Sequence, residues 1–577
     1  MAKKVLIIGG VAGGASAAAR LRRLDEHAEI ILFERGQYIS FANCGLPYYI
    51  GNVISERDYL LVQTEESMEA RFHIDVRPEH EVVAIDRGRK EVEVIAKGER
   101  YRESYDYLIL SPGAEPLVPP IPGIDHPSIY TVRNMNDIDK IHRHIQQVQP
   151  QKSVVIGGGY VGIEMAENLR ELGQDVTVIE AGPNILAPFD FEMARMLEKT
   201  LHDHGIPVIT NDAVTAFAPT AAPATGSGDK SHRGPVTLTL KSGQTLTADL
   251  VILAVGVRPE NKLAREAGLD IGERGGIKVD PYLRTSDPSI YAVGDAIEVK
   301  DRVNGAYSLI PLAGPANKQG RIAADNICGR NIQYTGSQGS AILKVCNLTA
   351  AATGNNEKQL KRAGIAYRKS YTQSPSHAGY YPGGNEMVVK ILFTPDEGKL
   401  LGAQIVGEDG VDKRIDVLAT AIRHGMTVYD LAELELAYAP PYSSAKDPVN
   451  MAGFVGTNIL RGDVNVVHWD ELPAMDPSTY VLLDVRTRQE HQYSHPEGAL
   501  LIPVDELRER IDEIPRDKKI FAFCRIGIRG YIACRILAPH GFDVYNISGG
   551  NELYAAMTNH YGETLTPTQK MRRSEGH

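Results

Sequence analysis

Short apolar runs alternate with glycine-rich turns and helix-like stretches through the first 300 positions. The run "VLII" at 5–8 precedes "GGVAGGASAAARLRRL", and a second run, "IILF", ends at Glu34. A buried strand, a glycine-rich turn, a helix and a second strand with a terminal acid form a dinucleotide-binding βαβ unit. The same order recurs at 152–182 in "KSVVIGGGYVGIEMAENLRELGQDVTVIEAG". The pattern therefore predicts two nucleotide sites in Rossmann-like α/β domains.

The second unit matches the full glycine fingerprint. Gly157, Gly159 and Gly162 fit the G-x-G-x-x-G spacing, which allows a tight turn, close approach to a pyrophosphate and close helix packing. Glu180 ends the next strand, where it is expected to accept a hydrogen bond from a ribose 2′-hydroxyl. No arginine follows it in "EAGPN", so this site is predicted to prefer NADH to NADPH.

The first unit departs from the fingerprint at one position. Gly9 and Gly14 keep the outer glycine positions, whereas Val11 stands in the middle. Two further features favour a nucleotide site: Glu34 at the strand end, and the stretch "YAVGD", whose Asp295 is expected to lie at a turn and bind a polyol chain.

The pattern of strand-like and helical stretches divides the later part of the chain into two further domains. Strand-like and helical stretches mix at 335–455, which predicts an α+β domain, and alternating strands and helices at 465–565 predict a small parallel α/β domain. The Ala/Pro/Gly/Ser-rich stretch at 219–236 predicts a solvated loop between strands.

Composition narrows the classes of partner. A formal charge of −11 and a pI near 5.9 over 577 residues leave no basic surplus for a nucleic acid. The five cysteines are scattered, which argues against a disulfide framework and for a cytoplasmic location with reduced thiols. No apolar run approaches the ~20 residues of a membrane span, so no membrane partner is expected.

Residues 1–450 resemble the flavoprotein disulfide reductases, and "SFANCGLPYYIG" and "YAPPYSSAKDPVN" resemble the coenzyme A disulfide reductases among them. The resemblance implies an FAD-binding domain at 1–115 and 250–334, an NADH-binding domain at 116–249, and a dimerisation domain at 335–455 of a homodimer. It also implies the residues that bind the two cofactors: Gly9, Ala12, Gly14, Glu34 and Asp295 for FAD, and Gly157, Gly159, Gly162, Glu180 and Gly256 around the nicotinamide nucleotide.

Cys44 has no second cysteine close after it, unlike the paired thiols of a dithiol reductase. A lone thiol beside a flavin either cycles through sulfenic acid or forms a mixed disulfide with a substrate thiol. Because Cys44 is expected at a helix N-terminus, its pKa is predicted to be lowered. No metal site is predicted.

The resemblance also implies how the substrate is held. Matching basic and polar residues bind the phosphates and pantetheine of coenzyme A in this family, here Arg20, Arg23, Ser40, Asn43 and Arg71, although a solvated basic helix face is the alternative for the arginines. Tyr380 and Tyr438 match tyrosines that reach the partner subunit's active site and donate to the departing thiolate; a packing role is the alternative.

A second reactive thiol is predicted in "FCRIGIRG". A loop that leaves a strand and enters a helix points its N–H groups inward, and Arg529 adds a cation, so the loop suits a thiolate or persulfide at Cys524. With "LLDVRTRQEH" and "NISGG", residues 465–565 resemble a rhodanese domain, whose cysteine carries persulfide sulfur. Cys534 is expected in the core of the following helix.

Together these features predict an FAD-dependent NADH:persulfide reductase that acts on coenzyme A persulfide, polysulfide or related sulfur at Cys44. Three alternatives remain open from the sequence. They are a coenzyme A disulfide reductase that maintains thiol balance, an NADH oxidase or peroxidase that uses a Cys44 sulfenic acid, and a non-catalytic redox sensor or sulfur carrier.

Overall fold

The computed structural model describes residues 2–220 and 234–558, which form two units. Unit 1 comprises residues up to Ile185 and Gly205–Gly339, and unit 2 comprises Leu186–His204 and the chain from Ser340 onward. Most of the surface loop predicted at 219–236 lies outside the described residues. The fold is of the mixed α/β class predicted from the hydrophobic pattern.

Unit 1 contains two parallel five-stranded sheets, one for each βαβ repeat. The first has the order β18-β7-β1-β2-β3, with strands Ile290–Ala292, Tyr107–Leu110, Lys4–Ile8, Glu29–Glu34 and Asp75–Pro78. The second has the order β12-β11-β10-β16-β9, with strands Val208–Ile209, Asp175–Ile179, Lys152–Ile156, Leu250–Leu253 and Ile129–Tyr130. Strands buried on both faces explain why these segments read as continuous apolar runs.

Smaller antiparallel sheets flank the two parallel sheets of unit 1. They comprise β4 (His80–Asp86), β5 (Glu91–Ala96) and β6 (Glu99–Ser104); β13 (Val214–Pro219), β14 (Val236–Leu240) and β15 (Thr245–Ala248); β8 (Ala114–Pro116) with β17 (Val257–Pro259); and β19 (Val299–Lys300) with β20 (Tyr307–Ser308). The helices are α1 (Ala12–Leu24), α2 (Leu46–Ile50), α3 (Glu65–Phe72), α4 (Met135–Val148), α5 (Tyr160–Glu171), α7 (Lys262–Glu266) and α8 (Ala313–Ile327).

Unit 2 contains an antiparallel sheet followed by a parallel one. The antiparallel sheet has the order β21-β22-β25-β24-β23, with strands Ala341–Val345, Leu348–Gly354, Leu400–Gly407, Glu386–Phe393 and Arg368–Pro375. The parallel sheet has the order β26-β30-β29-β27-β28, with strands Val466–Val467, Val544–Ile547, Lys519–Phe523, Tyr480–Asp484 and Leu500–Leu501. Its helices are α6 (Phe191–Asp203), α9 (Glu357–Ala363), α10 (Val411–Arg423), α11 (Val428–Glu433), α12 (Pro448–Leu460), α13 (Arg488–Tyr493), α14 (Ile528–Leu537) and α15 (Gly550–Met557).

Helix α6 lies, by sequence, inside the predicted NADH-binding domain, yet it belongs to unit 2. Lys390 on β24 is completely buried, and its ammonium pairs with Asp190 at 2.8 Å, with Glu192, and with Glu357 at 2.5 Å. A buried ammonium requires such partners because its desolvation is costly. This cluster therefore anchors the α6 segment to the antiparallel sheet, with the ammonium of Lys390 at the point where the three carboxylates meet. Among the described residues, no helix is both long and apolar enough to cross a membrane.

Candidate active sites

The first glycine-rich turn closes tightly despite its missing middle glycine. Gly9 has φ +97°, and a Cβ there would lie 2.1 Å from the carbonyl oxygen of Ser111. A Cβ at Gly14 would lie 1.8 Å from the carbonyl oxygen of Gly9. Val11 caps α1 with φ −93°, which any residue adopts. Both outer fingerprint positions of this turn therefore require glycine, whereas the middle one does not, and Ala12 follows as the first residue of α1.

Glu34 holds the first turn from the end of β2. Its carboxylate accepts hydrogen bonds from the N–H groups of Gly10 at 3.0 Å and Gly36 at 2.8 Å. Asp295 lies in the 3₁₀ turn Gly294–Ala296 that follows β18. Burial alone raises the pKa of its carboxyl group. A carboxyl withdrawn from water without a charged partner is suited to the hydroxyl groups of a ligand.

The second turn repeats this construction. Gly157 has φ +103°, and a Cβ there would lie 2.3 Å from the carbonyl oxygen of Ala254; a Cβ at Gly162 would lie 2.0 Å from the carbonyl oxygen of Gly157. A Cβ at Gly159 would meet no described atom within 4 Å, so this position faces open space. Space at the middle glycine is what close approach of a pyrophosphate requires.

Glu180 mirrors Glu34. Its carboxylate accepts hydrogen bonds from the N–H groups of Gly158 at 2.8 Å and Gly182 at 2.7 Å. Gly256 follows β16 with φ +119°, and its carbonyl oxygen accepts from the N–H of Leu117 at 2.9 Å. Both acids thus tether their glycine-rich turns, a role that the strand-end position alone did not reveal.

Cys44 lies in the 3₁₀ turn Asn43–Gly45, directly before the five-residue helix α2, and it is exposed. The residues of this chain raise the pKa of the Cys44 thiol, so the prediction of a lowered pKa is wrong. Partial desolvation raises the pKa of the Cys44 thiol, and the negative charges of Glu164 and Asp295 raise it further. Desolvation and these two acids together outweigh the short helix, whose terminus carries only a partial charge.

Glu164 was not predicted as a site residue. It lies on α5, two residues after Gly162, and its carboxylate accepts a hydrogen bond from the hydroxyl of Tyr48 on α2 at 3.3 Å. Burial raises the pKa of Glu164 to about 7. An acid in the first turns of a fingerprint helix is the sequence signal, but its proximity to Cys44 depends on the packing of α2 against α5.

The residues predicted to hold coenzyme A lie on three segments of unit 1: Arg20 and Arg23 on α1, Ser40 and Asn43 in the loop that carries Cys44, and Arg71 on α3. Arg20 pairs with Asp325 on α8 at 2.7 Å, so its guanidinium already has a carboxylate partner. Arg23, Asn43 and Arg71 are exposed. Ser40 has φ +45°; its N–H donates to the carbonyl of Gly10, and its carbonyl accepts from the N–H of Val62. Ser40 thereby ties the Cys44 loop to the first glycine-rich turn.

Tyr380 and Tyr438 come together in unit 2, although 58 residues separate them in sequence. Their hydroxyl oxygens lie 2.7 Å apart, and the side chains are 76% and 46% exposed. The N–H of Ala378 donates to the carbonyl of Ser443 at 3.0 Å, which joins the two loops. Hydrogen bonding to Tyr438 raises the pKa of Tyr380. Two exposed hydroxyls in contact form a potential proton donor pair.

Cys524 follows β29 and is 1% exposed. The N–H of Gly527 donates to its sulfur at 3.1 Å, as a loop that wraps an anion requires. Its carbonyl accepts from the N–H of Asn551 at 2.8 Å. Cys534 is buried within α14, where burial raises the pKa of its thiol to about 12. Only Cys524 has the setting of a reactive thiol in this sheet.

Arg529 contacts the Cys524 loop from the first turn of α14. Its guanidinium makes a paired contact with Glu490, with both N–O distances 2.7 Å, and this pairing and Cys524 both raise the pKa of the arginine. Glu490 was not predicted as a site residue. Burial alone would raise the pKa of its carboxyl group, but the contact with Arg529 outweighs burial and lowers that pKa to about 2. Glu490 therefore orients the cation beside the thiol.

Three family models match successive parts of the chain. Residues 3–320 match the family described as pyridine nucleotide-disulphide oxidoreductase, residues 340–448 match the dimerisation domain of that family, and residues 470–557 match the rhodanese-like domain. Along 455 residues the chain is 37% identical to a protein of Staphylococcus haemolyticus named coenzyme A disulfide reductase, covering 78% of this chain and 99% of the relative.

Two solved structures span nearly the whole chain. Reduced Bacillus anthracis CoADR-RHD has 48% sequence identity and a TM-score of 0.93, covering 97% of this chain and 99% of that one. The NAD-dependent persulfide reductase from A. fulgidus has 40% identity and a TM-score of 0.88, covering 96% and 99%. The resemblances inferred from the sequence are thus confirmed. The chain belongs to the pyridine nucleotide-disulphide oxidoreductase family and joins that family's redox and dimerisation domains to a C-terminal rhodanese-like domain.

Proposed function

We propose that this oxidoreductase is an FAD-dependent NADH:persulfide reductase that acts on coenzyme A persulfide or related zero-valent sulfur and releases sulfide. One observation carries the proposal: the exposed, unpaired thiol of Cys44 lies within the electrostatic influence of both Asp295, at the first nucleotide site, and Glu164, on the helix of the second. The similarity to a protein named NAD-dependent persulfide reductase, over almost the whole chain, supports the same substrate class.

The residues of the two turns fit FAD in the first site and NADH in the second. Glu34 tethers the first turn and has acceptor capacity left for ribose hydroxyls, while the desolvated carboxyl of Asp295 suits a ribitol chain. Gly159 leaves room for a pyrophosphate, and the carboxylate of Glu180 repels a 2′-phosphate. Bound FAD supplies two-electron transfer from NADH to a disulfide.

The chemistry at Cys44 balances without another oxidant. The Cys44 thiolate attacks the sulfur that is bonded to the pantetheine carbon of coenzyme A persulfide, a new S–S bond forms, and sulfide leaves with the electron pair of the broken one. Two electrons from NADH and one proton then convert the mixed disulfide into the Cys44 thiolate and coenzyme A thiol. Overall, one coenzyme A persulfide, one NADH and one proton are converted into one coenzyme A thiol, one hydrogen sulfide and one NAD⁺.

We assign coenzyme A binding to the surface around this thiol. Arg23 and Arg71 offer exposed cations to its phosphates, Asn43 offers an amide, and Ser40 shapes the loop. Arg20 pairs with Asp325, so it contributes mainly by positioning α1. We further propose a homodimer, in which Tyr380 and Tyr438 donate a proton at the partner's site. A reducing, cytoplasmic compartment fits the five free cysteines.

The rhodanese-like domain supplies a sulfur carrier in this scheme. The Cys524 thiolate takes one sulfur from a polysulfide and leaves a polysulfide shorter by one sulfur. Coenzyme A thiolate then attacks the outer sulfur of the Cys524 persulfide, which produces coenzyme A persulfide and restores the Cys524 thiolate. The N–H of Gly527 and the guanidinium of Arg529 lie beside the sulfur and can donate hydrogen bonds to it in both states.

The second candidate is coenzyme A disulfide reduction. The relative that bears this name aligns over 99% of its own length with 78% of this chain. In that reaction the coenzyme A thiolate replaces sulfide as the leaving group, and one NADH produces two coenzyme A thiols.

The deciding experiment measures sulfide released and NADH oxidised with coenzyme A persulfide and with coenzyme A disulfide. We expect one sulfide per NADH and a higher kcat/KM on the persulfide. Cys44→Ser should abolish turnover on both while it retains the visible absorption of bound FAD, and Cys328→Ser is the matched control. Turnover of the persulfide by Cys44→Ser would refute the role of this thiol. A strong preference for the disulfide would establish the second candidate instead.

A further inference from the structure

Arg525 is adjacent to Cys524, yet its guanidinium is paired outside the loop that holds the sulfur. It contacts Glu386 at 2.5 Å and Glu552 at 3.3 Å. Glu552 lies on α15 of the same domain, whereas Glu386 is the first residue of β24 in the antiparallel sheet. One side chain of the thiol loop therefore spans two domains of unit 2.

Glu386 is itself held in place. The same Oε2 atom that contacts Arg525 accepts a hydrogen bond from the side-chain N–H of Gln373 on β23 at 2.6 Å, and the backbone of Glu386 pairs with Pro375 in the sheet. Directly before it, the N–H of Ser376 donates to the carbonyl of Asn385 at 2.8 Å and closes the 376–385 loop that carries Tyr380. Arg525 thus attaches the thiol loop to a rigid point at the base of the Tyr380 loop.

The docking of the two domains does not depend on Arg525 alone. Lys369 on β23 pairs with Asp470, before the first long strand of the rhodanese-like domain, at 2.9 Å and with Glu357 at 3.1 Å. The N–H of Tyr371 donates to the hydroxyl of Ser548 at 3.2 Å. Loss of the Arg525–Glu386 pair should therefore detach the thiol loop from the Tyr380 loop, with Arg525 still paired to Glu552, while the domains stay in contact.

We infer that the Arg525–Glu386 ion pair positions the Cys524 loop for transfer of sulfur from its persulfide to a soluble thiol acceptor. The inference rests on the proposed function for the identity of the acceptor, coenzyme A. Arg525 acts here as a positioning residue, because its guanidinium is directed at two carboxylates. Transfer requires the outer sulfur in line with the incoming thiolate, and small misplacements lower such rates strongly.

The test uses Glu386→Gln, which removes the ion pair while every residue of the thiol loop itself stays unsubstituted. The full-length enzyme is loaded with polysulfide, and discharge of the Cys524 persulfide by coenzyme A is followed without NADH by mass spectrometry. We expect discharge to slow about tenfold, loading to stay unchanged, and NADH-dependent turnover of preformed coenzyme A persulfide to stay unchanged. Glu506→Gln, which breaks the exposed pair with Arg488 in the same domain, is the matched control.

The double variant Arg525→Gln with Glu386→Gln separates positioning from direct contact with sulfur. A double variant that discharges no more slowly than Glu386→Gln supports positioning, whereas a clear further loss means that the arginine itself is required at the reacting atoms and overturns the inference. Unchanged discharge in Glu386→Gln overturns it as well, and so does an equal loss of loading. Because discharge is measured without NADH, failure of the proposed reductase activity would be seen separately, as wild-type enzyme that discharges normally but does not oxidise NADH.

Discussion

The hydroxyl oxygens of Tyr380 and Tyr438 lie 2.7 Å apart on the exposed surface of unit 2. One hydroxyl of this pair donates a hydrogen bond to the other. When one tyrosine gives up its proton, the hydrogen bond from its neighbour stabilises the negative charge left on the oxygen. Such a pair is expected to act as one proton donor, and its two members should depend on each other.

We predict that Tyr380→Phe or Tyr438→Phe lowers kcat for coenzyme A persulfide on the order of a hundredfold, the contribution typical of a positioned proton donor. The double variant should be little slower than either single variant, because the two hydroxyls work as a unit. Steady-state kinetics of the three variants form the test, and the exposed Tyr442→Phe is the control. Additive losses would mean that the tyrosines act independently.

Glu164→Gln should make Cys44 more reactive at lower pH. The carboxylate of Glu164 raises the pKa of the thiol, so its removal lowers that pKa, and the amide can still accept from Tyr48. The rate of alkylation of Cys44 by iodoacetamide, followed from pH 5 to 10 by mass spectrometry, measures the change. The exposed Glu171→Gln, on the same helix, should leave the profile unaltered. An unmoved profile in Glu164→Gln would contradict the assigned cause.

The same substitution should change the pH dependence of stability. The pKa of Glu164 rises from 4.5 to about 7 on folding, so the folded state binds this proton more tightly than the unfolded state does. The stability gained from the protonated carboxyl is present below pH 4.5 and is lost as the pH rises towards 7. We therefore expect Glu164→Gln to raise Tm relative to wild type more at pH 8 than at pH 4. An equal difference at both pH values would contradict this sign.

Glu180→Gln with Ala181→Arg should increase use of NADPH relative to NADH by about tenfold or more, because a 2′-phosphate then meets a cation instead of a carboxylate. The absolute rate with NADH should fall, since Glu180 also tethers Gly158 and Gly182. The ratio of kcat/KM for the two nucleotides is the measurement, and Ala181→Arg alone is the control. Wild-type enzyme that prefers NADPH would refute the assignment.

Cys524→Ser should eliminate turnover with polysulfide and leave turnover of preformed coenzyme A persulfide nearly intact. Cys44 needs only a soluble persulfide and a source of electrons, whereas polysulfide sulfur must first be loaded on a carrier thiol. Cys534→Ser is the matched control, as that thiol is buried in α14. Equal loss of both activities would place Cys524 on the reductive path, and loss of neither would assign the rhodanese-like domain to another reaction.

The sequence alone determined the fold class and the two glycine-rich turns, and it supplied the prediction that Cys44 and Cys524 are the reactive cysteines. These features follow from local rules. Glycine at Gly9 and Gly157 is required by a positive φ, an acid ends the strand after each turn, and a thiol loop links a strand to a helix. Cys534 was likewise correctly expected in a helix core, because its neighbours in sequence are apolar.

Only the tertiary structure decided the charges around these groups. Desolvation raises the pKa of Cys44, and Glu164 and Asp295, which lie 120 or more positions away in sequence, raise it further. The contact of Arg525 with Glu386 spans 139 positions. The burial of Lys390 among Asp190, Glu192 and Glu357 assigns α6 to unit 2. Backbone geometry and side-chain periodicity set the local pattern, which can be read from the sequence. A pKa or an ion pair depends on which distant side chains lie within a few ångströms of each other, and only folding brings them together.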